Sequence, residues 1–177
     1  MLKNVFRKGG TYTSSSKITR RINTYMSVTF KNAQNGDTEA FAEIYSEIYT
    51  KLYYLAYHSL ANKQEAVNAV KTASRDAYSE IRNCRSVEEF NGLILKKLCE
   101  QIILRYREYR KTPPQYETDP PYIKAQMRKL TDAERFSVSM WALFGLNTRE
   151  ISKFSGLSET VVENKLKSAK LKLEPNL

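Results

Sequence analysis

Glu150-Ile-Ser-Lys-Phe-Ser-Gly-Leu-Ser-Glu-Thr-Val-Val-Glu-Asn-Lys-Leu166 is the run that decides how this 177-residue chain is read. Ile151 and Phe154 fall on one face of a helix, and Thr148 ahead of them carries a hydroxyl able to accept the free N–H groups at a helix start. Gly156 ends that helix, because glycine enters a left-handed turn without a Cβ clash. Leu157 points back into the angle, and Ser158 caps a second helix. That helix turns Val161, Val162, Leu166 and Ala169 inward and Asn164, Lys165, Lys167, Ser168, Lys170 and Lys172 outward. A short, tightly turned pair whose second member has a basic outer face predicts a helix-turn-helix with its recognition helix in a DNA major groove. Any amphipathic hairpin shares the apolar spacing; the Gly-Leu-Ser punctuation before a cationic helix is what favours DNA. The candidate DNA contacts are therefore Ser158, Glu159, Thr160, Glu163, Asn164, Lys165, Lys167, Ser168 and Lys170.

Outward from this run, the chain is 41% hydrophobic and 27% charged, with only six glycines and five prolines. Its long segments have helical periodicity and no strand alternation, which predicts an all-α fold. No apolar run reaches the roughly 20 residues of a membrane span. Cys84 and Cys99 lack metal-site spacing and read as ordinary thiols of a reducing compartment, so the expected location is the cytoplasm. His58, the only histidine, has no acid or nucleophile at a useful spacing. With no phosphate loop, metal cluster or nucleophile elbow, the chain is read as a non-enzyme without metal or cofactor. The net charge of +10 suits a polyanionic partner, but residues 1–25 hold six cations and no acid, leaving +4 for the rest. Those residues read as a nucleic-acid arm or as an extension outside the fold.

From Asp37, Phe41, Ile44, Tyr45, Ile48, Leu52, Leu55, Ala56 and Leu60 recur at steps of three and four, the stripe of one long helix. Asn62 with Glu65 resembles a capping box for a second helix burying Ala66, Val67, Val70, Ala73, Ala77 and Ile81. Ser86 with Glu89 opens a third, with Phe90, Leu93, Ile94, Leu98, Ile102, Ile103 and Tyr106 inward. Its end, Arg105 to Lys111, is a solvated cationic terminus or a phosphate-contacting surface. The tyrosines Tyr45, Tyr49, Tyr53, Tyr54 and Tyr57 read as core and rim of the first helix, or as platforms for unpaired bases. Residues 112–121 hold four prolines, so a semi-rigid linker and a domain boundary fall there. Thr131 with Glu134 then starts a helix in which Trp141 is a core anchor.

Three helices, a short linker and a terminal helix-turn-helix resemble the extracytoplasmic-function group of bacterial sigma-70-class RNA polymerase sigma factors. Residues 35–45 and 52–56 are similar to the opening of the family's region two, and Leu130 to Leu173 to its region four. The resemblance implies a basic, flexible extension over 1–33, a region-two-like domain over 34–111, a linker over 112–125 and a region-four-like DNA-binding domain over 126–177. It implies transcription initiation with core RNA polymerase and duplex promoter DNA as partners, and it allows an anti-sigma factor. By register, the polymerase and promoter-melting surface would comprise Glu65, Asn68, Lys71, Thr72, Arg75, Tyr78, Arg82, Arg85, Lys96 and Lys97. This chain departs from the family at Asn68, Lys71, Thr72 and Ser74, where acids, Gln and a large apolar residue are usual, and at Glu163, where Lys is usual. Two alternatives stay open: a divergent regulator that does not initiate transcription, and a helix-turn-helix interaction module.

Overall fold

The computed structural model describes residues 27–111 and 126–173, which are helical, with no strand among them. The expected linker over 112–125 and the basic residues 1–26 lie outside the described residues. Helix α1 runs through 27–34, α2 is Thr38–Leu60, α3 is Lys63–Ser79 and α4 is Val87–Tyr109, with a 3₁₀ turn at Ile81–Asn83. No helix among the described residues is long and apolar enough to cross a membrane. The starts of α2, α3 and α4 each follow from a side chain that satisfies free N–H groups. Asp37 accepts from Glu39 and Ala40 at 3.0 and 3.1 Å, Asn62 from Glu65 at 2.9 Å and Ser86 from Glu89 at 3.2 Å. The Glu89 carboxylate returns to the N–H of Arg85, one residue before the expected box partner.

Small residues let α3 approach its neighbours closely: Ala66, Ala69, Val70, Ala73 and Ala77 are buried against α2 and α4. The α2 stripe of Ile44, Ile48, Leu52 and Leu55 and the α4 stripe of Phe90, Ile94, Leu95, Leu98 and Ile102 complete this core. Val67, expected inside, is exposed. The assignment of residues 1–33 to a flexible extension is corrected for 27–33: Phe30 and Ala33 of α1 are buried, and the Phe30 ring lies 6.2 Å from that of Phe90. Gln34 fixes α1 by donating to the carbonyls of Ile81 and Cys84 at 3.0 and 2.8 Å.

The remaining helices are α5, Asp132–Phe144, α6, Thr148–Ser155, and α7, Glu159–Leu173. Thr131 and Glu134 form the expected capping box. The cap of α6 is Asn147 paired with Glu150, not Thr148, which stands one residue inside the helix. Gly145 and Gly156 close α5 and α6 at φ +68° and +70°. Trp141 is half-buried rather than a fully enclosed anchor.

Glu134 does more than cap α5. Its side chain is 3% exposed and receives Lys172 Nζ at 2.9 and 2.7 Å, Ser168 Oγ at 2.7 Å and the Thr131 N–H at 2.8 Å. Ser168 and Lys172, expected outward, are thus turned toward α5, because a buried carboxylate must be matched by charge and hydrogen bonds. Burial alone pushes the Glu134 carboxyl up, but the bonds from Lys172, Thr131 and Ser168 outweigh it and bring it down to about 2.

The two parts of the described chain pack α2 and α4 against α5 and α6, and their hydrogen bonds gather around one carbonyl. Ser59 O, at the end of α2, accepts from Arg135 Nε at 3.3 Å and lies 3.2 Å from the Tyr106 hydroxyl, whose proton it shares with Asp132 O at 3.2 Å. Arg135 also donates to Leu130 O at 2.8 Å and pairs with Asp132. Phe136, Met140, Ile151 and Val162 join the buried cluster of α1 to α4 without a break.

Two outcomes follow. Because the core is continuous, urea unfolding followed by Trp141 fluorescence and by far-UV circular dichroism should give one midpoint; separated midpoints would mean independently folding halves. Because Glu134 falls from its ordinary 4.5 to about 2 on folding, its contribution is present above the unfolded value and is lost as pH falls from about 4.5 through about 2. That shift is worth on the order of 3 kcal/mol at neutral pH. Glu134→Gln should destabilise the chain by about that much at pH 7 and flatten the acid side of a stability-pH profile; a variant that keeps both would contradict the assignment.

Candidate nucleic-acid interface

The α6–α7 corner is locked by its serines. Ser152 Oγ donates to Leu157 O at 2.6 Å, the Leu157 N–H donates to Ser155 Oγ at 3.2 Å, and Ser158 Oγ accepts from the Val161 N–H at 3.4 Å. Only the last of these was expected from the sequence. Ser152 and Ser155 carry a signal, hydroxyls flanking a helix-ending glycine, that apolar periodicity does not read. With Val162 and Ala169 fully buried and Ser168 and Lys172 held on Glu134, the rotation of α7 about its axis is set.

That rotation leaves Ser158, Glu159, Thr160, Glu163, Asn164, Lys167 and Lys170 on the exposed side. Lys165 is half-buried and faces a cleft beside Arg107 and Arg110. Of the nine candidate contacts, seven therefore share the outer surface, Lys165 borders it, and Ser168 is withdrawn. Val161, expected inside, is also on the outer side. Glu159 accepts from Thr148 Oγ1 at 3.0 Å. Glu163 pairs with Lys167 at 2.7 Å, and the Lys167 ammonium holds the Glu163 carboxyl below its usual range. Chemically the face offers hydroxyls, an amide that matches the two-point edge of adenine, a carboxylate that can accept from a cytosine amino group, and lysines for phosphate.

The second set of candidates, on α3 and the start of α4, is less unified. Glu65 Oε2 lies 2.9 Å from Arg105 Nε but without the alignment of a hydrogen bond. Arg75 pairs with Asp76 at 3.1 Å and Lys97 with Glu80 at 2.7 Å, while Arg82 Nε donates to Gln34 O at 3.1 Å. Asn68 accepts from Gln64 at 3.1 Å and stays exposed, as do Lys71, Arg85 and Lys96; Thr72 is half-buried. Tyr78 packs its ring 4.5 Å from that of Phe41. The intramolecular pairs of Glu65, Arg75 and Lys97 and the exposed Lys71 give this face a mixed, weakly cationic character.

Beside α3 runs an aromatic ridge. Phe41, Tyr45, Tyr49, Tyr53 and Tyr57 repeat every fourth residue of α2, with successive ring centroids 5.7, 5.5, 6.3 and 5.6 Å apart. Ser74 shares a 2.8 Å hydrogen bond with the Tyr45 hydroxyl, so this hydroxyl residue anchors the ridge to α3. Tyr49 and Tyr54 are exposed. His58 stands 5.7 Å from the Tyr54 ring, and burial lowers its pKa, leaving it neutral at pH 7.

Cys84 and Cys99 are buried free thiols, and burial pushes both up, away from thiolate chemistry. Among the described residues no group of three or more His, Cys, Asp or Glu side chains is placed to hold a metal ion. In comparisons with known proteins, no protein-family model and no curated protein matches the chain.

Proposed function

We propose that the chain is a sigma-factor-like transcription initiation protein: α6 and α7 form a helix-turn-helix that lays the outer face of α7 in promoter duplex DNA, and the α3 face docks core RNA polymerase. The observation that carries this reading is the fixed rotation of α7. Its inward side is fully occupied by Val162, Ala169, Ser168 and Lys172, and its outward side presents Ser158, Thr160, Asn164 and Lys167 together. Such a face, on the second helix of a pair joined by a three-residue turn, has the geometry of a major-groove reader.

A second reading, a sigma-like regulator that does not initiate transcription, is favoured by the α3 surface. Lys71 and Arg75 are exposed there while Glu65 is engaged by Arg105. A basic polymerase surface would meet cations rather than free acids, and like charges across an interface cost several kcal/mol.

Titration with duplex DNA at several salt concentrations tests the DNA half. Lys167→Ala should lower the slope of log affinity against log salt by about 0.9, and Asn164→Ala should reduce discrimination between sequences. Binding that ignores both salt and Lys167 would remove the DNA reading. Association with core polymerase from the same source, followed by transcription from genomic templates, separates the two versions. Transcripts support initiation, association without transcripts supports the regulator, and no association removes both.

A further inference from the structure

Three places in the molecule concentrate chemistry that the proposed function does not use: the tyrosine ridge of α2, the apolar groove between α5 and α7, and the cleft where the two parts of the chain meet. The cleft combines shape, charge and an apolar wall. Its volume is about 520 Å³, within the range of small-molecule sites. The last turn of α4 and the residue that caps it supply Arg107 and Arg110, α7 supplies Lys165, and the half-buried Ile103 of α4 and Leu157 of the α6–α7 turn form an apolar wall.

The three cations are distinguished from their neighbours by having no carboxylate. Arg105 is paired with Glu65 and Glu108, Arg135 with Asp132, Lys167 with Glu163 and Lys172 with Glu134. Among the described residues Arg107, Arg110 and Lys165 make no ion pair. The acid that lines the cleft, Asp132, is already bound to Arg135. Three unneutralised cations around one concavity raise the local concentration of a multiply charged anion, and arginine suits phosphate through paired donors. The first turn of α5 opens into the same cleft, so the positive end of its dipole adds to the field. A duplex backbone is convex and polar and would leave the Ile103 and Leu157 wall unused.

We propose that this cleft binds a small phosphorylated molecule carrying a flat apolar group, of the nucleotide class, with its phosphates on Arg107, Arg110 and Lys165 and its flat group against Ile103 and Leu157. Because the walls come from both parts of the chain, the ligand clamps α4 to the α6–α7 corner and stabilises the folded state by mass action. It also engages Lys165, next to the outward face of α7, and so can tune that face. The binding itself does not depend on what α7 contacts.

Isothermal titration of the full chain, without DNA, against ATP, GTP, adenosine and inorganic pyrophosphate tests the site. ATP or GTP should bind and raise the thermal midpoint, with adenosine and pyrophosphate each weaker by about tenfold or more. Arg107→Ala with Arg110→Ala should weaken the nucleotide by about tenfold or more, and Lys165→Ala in the same direction by a smaller factor. The exposed arginines can be removed without disturbing the fold, which an unchanged ligand-free midpoint verifies. Absence of binding by both nucleotides, or binding indifferent to all three side chains, overturns the proposal. Pyrophosphate as tight as ATP overturns the apolar half of the site. Duplex DNA affinity lost in the arginine variant, with no nucleotide binding, overturns it by assigning the cleft to a nucleic-acid backbone.

Discussion

Everything on the C-terminal side depends on one buried carboxylate. Desolvating Glu134 on its own would be prohibitive, since an effective penalty of about several kcal/mol per ion remains even after relaxation. It is tolerated because four contacts converge on it: two from Lys172, one from Ser168 and one from the Thr131 backbone. The same oxygens finish the cap of α5 and fix the roll of α7. Apolar packing through Val162 and Ala169 holds α7 against the core, but packing of small side chains alone tolerates rotation. The charge pins the angle, and the angle decides which residues form the outer face.

A second polar point, the carbonyl of Ser59, joins the two parts of the chain. A carbonyl at a helix end has no intrahelical donor, and Arg135 with Tyr106 supplies donors from α5 and α4. Burial raises the Tyr106 hydroxyl far above its ordinary value, so it stays a neutral donor at any physiological pH. This junction brings the cationic end of α4 beside the α6–α7 corner, and the cleft between them is a product of the docking.

Much of the helical skeleton was legible in the sequence because its signals are local. Asp37, Asn62, Ser86 and Thr131 announce helix starts through side chains that reach two or three residues ahead, and Gly156 announces an end through its backbone freedom. The errors lie where a local rule met a distant partner or a local competitor. Ser168 and Lys172 are polar and were read as outward, but their partner stands 34 and 38 residues earlier. Thr148 was read as a cap, and the neighbouring Asn147 won because it is correctly spaced from Glu150. Phe30 and Ala33 sit in a stretch too short to show a period, yet they are buried in the core. Val67 and Val161 match the helical repeat and still face outward, since a stripe wider than the available core leaves its margin exposed. Of the α7 side chains read as outward, Asn164, Lys167 and Lys170 are exposed, while Lys165 is half-buried beside the end of α4. The α3 set was read by register alone, and the ion pairs to Glu80, Asp76 and Arg105 depend on neighbours that register does not see.

Lysine reactivity toward an acylating reagent, read by mass spectrometry with and without bound duplex DNA, tests the central claim most directly, because Lys172 and Lys167 lie on opposite sides of the same helix. Held on Glu134, Lys172 should react slowly in both states, while the exposed Lys167 should react readily alone and be protected on DNA. Equal reactivity of the two lysines in the free chain, or an unprotected Lys167 in the complex, would contradict the account.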